Sequence, residues 1–283
     1  MNANRDSNEH EINAGRIDSG YREYRPSLPL ADHLVCLWTA RVGGNSSQSE
    51  RCVVPDGCID IVLVDGEPPM VVGPWTESFL VRHAPGTTII GGRWHPGRAP
   101  AMLGLPASEL LNQAVPLGAV WGDAANARFA RIAKERDAAE RRAAMEAALL
   151  ERLAYARPLD EAVSAGIQWI ARNPGGRIEQ LSQWMGISSR QLQRRFTASV
   201  GYGAKMFQSV LRFQRLLHLN DRMSVPASLA QSSVDAGYAD QSHMTREVQR
   251  FSGSPPTALL RPQSVRCALQ LSNLFRTTCD RND

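Results

Sequence analysis

The sequence has no apolar run approaching the roughly 20 residues needed to span a bilayer. Its opening, MNANRDSNEHEINAGRIDSG, is polar where a secretory signal needs an apolar segment. No membrane partner is expected, and the cytoplasm is the expected compartment. Five cysteines, Cys36, Cys52, Cys58, Cys267 and Cys279, make an odd set without repeated pair spacing, which fits reduced thiols rather than a disulfide framework. There is no G-x-S-x-G elbow, Walker loop, H-E-x-x-H helix or dinucleotide fingerprint, and the six histidines do not cluster. The chain is therefore not expected to be an enzyme, and no cofactor is expected.

What is present is the composition of a globular protein, 43% hydrophobic and 21% charged over 283 residues, a length that predicts about two domains. Charge divides the chain. Residues 1–158 carry 17 basic against 19 acidic side chains and residues 159–283 carry 15 against 9, so a positive excess gathers in the second half, where it suits a polyanion partner.

That half contains Ile178–Gly201, IEQLSQWMGISSRQLQRRFTASVG. Ile178, Leu181 and Met185 recur at helical spacing, Gly186 breaks the segment, and Ser188 can N-cap a second helix with Leu192 and Phe196 on its buried side. Arg190, Gln193, Arg194 and Thr197 fall at i, i+3, i+4 and i+7, one stripe carrying two guanidinium forks, an amide and a hydroxyl. Arg can grip guanine and Gln adenine through paired contacts, while spare donors bind phosphate. The pattern returns in Ser228–Leu260, with a turn at Gly237–Tyr238 and an Asp240 cap. Leu192 and Met244, Phe196 and Val248, Arg194 and Arg246, and Gly201 and Gly253 are each 52 positions apart.

Leu-x4-Gly-x-Ser-x3-Leu-x-Arg-x-Phe, followed by Gly-Tyr-x-Asp-Gln-Ser-His-x-x-Arg and Ser-Pro-Pro, resembles the twin helix-turn-helix domain of AraC/XylS transcription regulators over about Leu159–Arg261. The resemblance implies a sequence-specific regulator bound to promoter DNA. Groove-facing positions then fall on Arg190, Gln193 and Arg194, and on Gln241, Ser242, Thr245 and Arg246, with Asp240 a cap and His243 structural or phosphate-facing. Tyr202–Asp221 becomes the helix linking the two subdomains. Met244 and Val248 stand where the family often has large aromatics, so looser packing of the second subdomain is expected. RNA polymerase is a further partner if the protein activates.

The first half reads differently. Residues 1–20 are expected to be a disordered lead and 263–283 a tail, flanking a sensor and dimerisation domain at 21–158 and the DNA-binding domain at 159–262. Leu34–Val42, Arg51–Pro55, Ile59–Val64, Met70–Gly73 and Thr87–Gly92 are short β-branched runs that predict a barrel or sandwich. The Ala-, Arg- and Glu-rich Asp123–Arg157 predicts helix, with Phe129, Ile132, Met145, Leu149 and Leu153 either packed on the sheet or paired with a second subunit in a homodimer. Arg157–Pro158 marks the junction. The expected class is α+β: a β-rich, barrel-like sensor domain with helices, then an all-α domain of two helix-turn-helix units.

Val53–Leu63 and Gly91–Gly104 concentrate unusual groups and resemble an N-terminal domain of uncharacterised AraC-type regulators. Asp56, Asp60, Trp75, Arg93, Trp94 and His95 are candidates to line a small-molecule effector pocket, with Arg93 suited to a carboxylate ligand. Pro-Asp-Gly is equally a turn tripeptide in which Asp56 bonds its own backbone. Cys52, Cys58, His83 and His95 could bind metal or, at Cys52 or Cys58, sense redox, but their spacing matches no zinc finger or ribbon. An enzyme fused to the DNA-binding half is the alternative class, and the chain lacks the His-x-His set of a metal-dependent barrel. A methyl-accepting thiol has only Cys58 as a candidate, where flanking acids disfavour the thiolate.

Overall fold

The computed structural model describes residues 11–12, 20–43, 49–135, 137–222 and 228–260. Most of the expected lead, the whole tail at 263–283, and Cys267 and Cys279 lie outside them. Among these residues the order is β1 (Glu11–Ile12), β2 (Arg22–Tyr24), β3 (Leu34–Arg41), β4 (Ser49–Val53), β5 (Ile59–Val64), β6 (Met70–Val72), β7 (Phe79–His83), β8 (Thr88–Trp94), α1 (Ala99–Leu103), β9 (Ala114–Pro116), α2 (Leu117–Ile132) and α3 (Ala138–Leu153). The helical half follows as α4 (Glu161–Arg172), α5 (Ile178–Trp184), α6 (Ser189–Val200), α7 (Ala204–Arg222), α8 (Leu229–Ala236), α9 (Gln241–Ser252) and α10 (Pro256–Leu259).

The class is α+β, but the strands do not close into a barrel. They form an open antiparallel sheet in the order β1-β2-β3-β8-β5-β6-β9, and β4 and β7 pair separately as a ribbon. Each strand side chain alternates between the faces. Ile59, Ile61 and Leu63 of β5, with Ile90 and Trp94 of β8, point to the face that α1, α2 and α3 cover. The opposite face carries Cys36, Trp38, Val64 and Ile89. Gly91 lies under Trp38, where a Cβ would sit 2.3 Å from the indole, so the central strand can carry only glycine there.

The Asp123–Arg157 stretch is two helices rather than one. Asp137 starts the second by accepting from the backbone N–H of Ala139 at 2.8 Å and of Glu140 at 2.9 Å. Phe129, Ile132, Met145 and Leu149 are buried in the core beneath the sheet and Leu153 packs against it. Phe129, Ile132, Met145 and Leu149 are consumed within the chain, which removes these four as a dimer surface, while Leu153 is half-buried.

The helical half has its own core, built on α7. Phe207, Val210, Leu211, Phe213, Leu216 and Leu217 are buried along it, with Leu192 and Phe196 from one motif and Met244 and Val248 from the other. Met244 and Val248 are fully buried, and Phe251 supplies the aromatic bulk by packing on Phe213 at 5.3 Å between ring centroids. Val54 of the β half also enters this core.

Candidate nucleic-acid interface and ligand cleft

The two motifs are built on the same plan. Ser188 starts α6 by accepting from Gln191 N–H at 3.2 Å, and the Gln191 side chain accepts in return from Ser188 N–H at 2.9 Å. Asp240 starts α9 by accepting from His243 N–H at 2.7 Å. Both helices end on a glycine in the left-handed region, Gly201 at φ 100° and Gly253 at φ 69°. The caps, like the core pairs, are thus 52 positions apart.

With Leu192, Phe196 and Val200 turned inward, α6 leaves Arg190, Gln193 and Arg194 exposed and Thr197 half-buried beside them. Gln193 Nε2 donates to Thr197 Oγ1 at 3.3 Å, and the Gln193 side chain lies against Gly203, where a Cβ would meet its Oε1 at 2.0 Å. On α9, Gln241, Ser242, Thr245 and Arg246 are exposed, and Thr245 Oγ1 donates back to Gln241 C=O at 2.8 Å. Each helix therefore offers solvent two or more long polar side chains on one face.

His243 points elsewhere. Its Nε2 is 3.3 Å from Glu247 Oε1 and its ring stands edge-on to Tyr238, 5.4 Å between centroids. Glu247 is the centre of a network that sequence reasoning missed. It accepts from Ser209 Oγ at 2.6 Å and from the guanidinium of buried Arg212 at 2.9 Å, both on α7. Burial pushes the Glu247 carboxyl up, but the bonds from Ser209 and Arg212 outweigh it and hold it below its ordinary range. Arg212 also donates to Pro174 C=O at 3.2 Å, and Gln208 to Gly176 C=O at 2.7 Å. The linker helix thereby fixes α9 on one side and the turn before α5 on the other. The signal was an Arg and a Gln on the buried face of a helix, positions rarely polar without partners.

In the β half, Asp60 and Arg93 face each other across β5 and β8. Arg93 Nε and Nη2 donate to Asp60 Oδ1 and Oδ2 at 3.0 and 2.9 Å, a bidentate pair. Asp56 Oδ2 is 3.6 Å from Arg93 Nε, while its Oδ1 accepts from Cys58 N–H at 2.9 Å. The turn and ion-pair roles of Asp56 coexist. Glu23, 2% exposed, is on the same side of the sheet and accepts from Tyr21 Oη at 2.8 Å. A cleft open to solvent lies between this face and the β4–β7 ribbon. Asp56, Asp60, Arg93, Trp75 and Phe79 line it, the two rings stacked at 4.1 Å.

Trp94 and His95 are not brought to it. Next to Arg93 on the strand, Trp94 faces the other way, where its Nε1 donates to Met102 Sδ at 3.3 Å and its ring meets Trp121. His95 lies by His33 and Arg98, and burial followed by the Arg98 charge lowers its pKa to about 4. His83 sits opposite Ser49 on the ribbon, with Cys52 opposite Leu80, and Cys58 is in the turn below. Burial, then the charge of Asp56, pushes the Cys58 thiol well up, against a reactive thiolate. Among the described residues no group of three or more His, Cys, Asp or Glu side chains is arranged to hold a metal ion.

The two halves meet at this cleft. The turn Pro55–Cys58 forms part of its wall and also receives the helical half. Gln214 of α7 donates to Pro55 C=O at 2.6 Å, and a Cβ on Gly57 would lie 3.0 Å from Phe207 and 3.4 Å from Tyr202 Oη. Gly201 abuts Pro74, where a Cβ would come within 2.6 Å. Tyr202 and Gly203, which follow the Gly201 cap of α6, connect the turn to Gln193.

Residues 181–262 match a family described as a helix-turn-helix domain, and residues 22–116 one described as a domain of unknown function. A probable AraC family transcriptional regulator from Rhodopseudomonas palustris is 26% identical, over 36% of this chain and 95% of its own, with a TM-score of 0.32. ToxT from Vibrio cholerae aligns over 85% of this chain and 98% of its own at 7% identity, with a TM-score of 0.43. No curated protein matches the chain.

Proposed function

Taking as premise that the chain is a DNA-binding transcription regulator of the AraC/XylS family, we propose that a small-molecule effector in the β-half cleft sets how its two recognition helices meet promoter DNA. Arg190, Gln193, Arg194 and Thr197 on one helix, and Gln241, Ser242, Thr245 and Arg246 on the other, are assigned to bases and phosphates. His243 is assigned to holding α9 through Glu247. The domains are drawn at 21–158 and 159–262, the compartment is the cytoplasm, and the reading gives the chain no chemical step of its own. Homodimerisation, and contact with RNA polymerase in the case of activation, belong to the same proposal.

One observation carries the coupling. A single turn, Pro55–Cys58, is both cleft wall and docking surface for Tyr202, Phe207 and Gln214. A ligand that moves Asp56 has to move the seat of the helical half, so the two sites share a free energy. Substituting Gly57 tests this at a position remote from the reading faces. Gly57 sits at φ 81°, and Gly57→Leu drives a side chain into Phe207 and Tyr202. The affinity of the full chain for a selected operator is expected to change by about fivefold or more, the low end of allosteric couplings. An unchanged affinity, with a protein that remains folded by circular dichroism, counts against the coupling.

A further inference from the structure

We propose that the cleft takes a small organic cation bearing a hydroxyl or carbonyl oxygen, an amino alcohol in the simplest case, with its charge against Asp56 and its carbon chain on Trp75 and Phe79. This rests on the effector reading above and specifies its chemistry.

The charge on the cleft floor points to a cation. Asp56 and Asp60 line the cleft together with the Arg93 guanidinium, and Asp60 engages that guanidinium bidentately. An incoming carboxylate would meet an Arg93 already shared by Asp60 and Asp56, and would sit beside both. Desolvated carboxyls in excess over their counter-charge are instead relieved by a bound positive group. Asp56 is the carboxyl placed to receive it: its Oδ2 is 3.6 Å from Arg93, beyond a hydrogen bond, and it lines the opening. Burial raises the Asp56 pKa, the signature of a charge held at a cost.

Two further features are independent of the acids. The stacked Trp75–Phe79 pair gives a π wall suited to ammonium groups and alkyl chains. Two buried polar atoms at the site, Trp75 Nε1 and Tyr202 Oη, have no hydrogen-bond partner. The indole N–H asks for an acceptor, which an ammonium alone does not supply and a hydroxyl or carbonyl does. Tyr202 is 6% exposed, and after burial the charges acting on its hydroxyl are Asp56 and the Cys58 thiol, so it faces the cleft turn from the helical half.

The test uses the full chain and three probes of matched length, 3-amino-1-propanol, 1,3-propanediol and 3-hydroxypropionate, titrated by calorimetry with tryptophan fluorescence as a second signal. The amine is expected to bind at least about tenfold tighter than the others, the worth of one charge-assisted hydrogen bond. Asp56→Asn should abolish that preference, while the Asn side chain still accepts from Cys58 N–H and keeps the turn. Trp75→Leu should weaken the amine without restoring the acid. Equal or tighter binding of the diol or the acid overturns the cation but leaves an effector cleft standing. Amine binding indifferent to both substitutions places it elsewhere and overturns the proposal. If none of the three binds, the cation is overturned, and the effector reading is decided separately by the operator affinity of Gly57→Leu.

Discussion

Glu247 ties α9 to α7 through one carboxylate, and the consequence is read by removing it. Glu247→Ala leaves Arg212, 2% exposed, without its carboxylate partner, a loss that costs about 3–5 kcal/mol when a buried pair is broken. Denaturant unfolding of the two proteins measures it, and a cost below about 1 kcal/mol would mean that Arg212 finds another partner. Because the folded carboxyl is held below its ordinary 4.5, the stabilisation is full above that pH and is lost as pH falls through the lower folded value. Glu247→Gln should flatten this acid limb. At this scale the sequence is least informative. Arg93 and Trp94 are adjacent and both were candidates, yet strand alternation sends them to opposite faces, and Asp60, 33 positions away, is the partner that engages Arg93.

The recognition elements were the most legible part, since caps, core positions and terminal glycines all repeat at one spacing. In the β half the runs at 34–42, 59–64 and 87–92 became strands, because β-branched residues bounded by turns report local preference directly. Sheet closure was not legible, because pairing depends on partners far apart in the chain. β7 also escaped notice, being a half-exposed strand that pairs, among the described residues, with β4 alone. The break between α2 and α3 rests on Asp137, one cap inside an otherwise helix-favouring run. Equivalent glycines give an element-scale test. Both Gly201 and Gly253 are at positive φ, so Ala costs about 1 kcal/mol or somewhat more at each by strain. Only at Gly201 does the new Cβ strike Pro74, with nothing within 4 Å at Gly253. Gly201→Ala should be the more destabilising by thermal unfolding, and equal costs would mean that the halves do not seat as described.

At the scale of the molecule, a sheet half and a helical half share a buried boundary formed by Pro55–Cys58, Pro74 and the start of α7. The helical half carries the positive excess and presents two capped helices with parallel chemistry. The central claim is that both of these helices read bases. Selection of bound duplexes from a random pool by the full chain, repeated with Arg190→Ala and with Arg246→Ala, tests it most directly. The account predicts a site of two specified segments about one helical turn, roughly 10 base pairs, apart. Each variant should lose about 1–3 kcal/mol of specific binding and relax selection in one segment only. Selection of the same site by all three proteins, or an equal loss on random duplex, would contradict it.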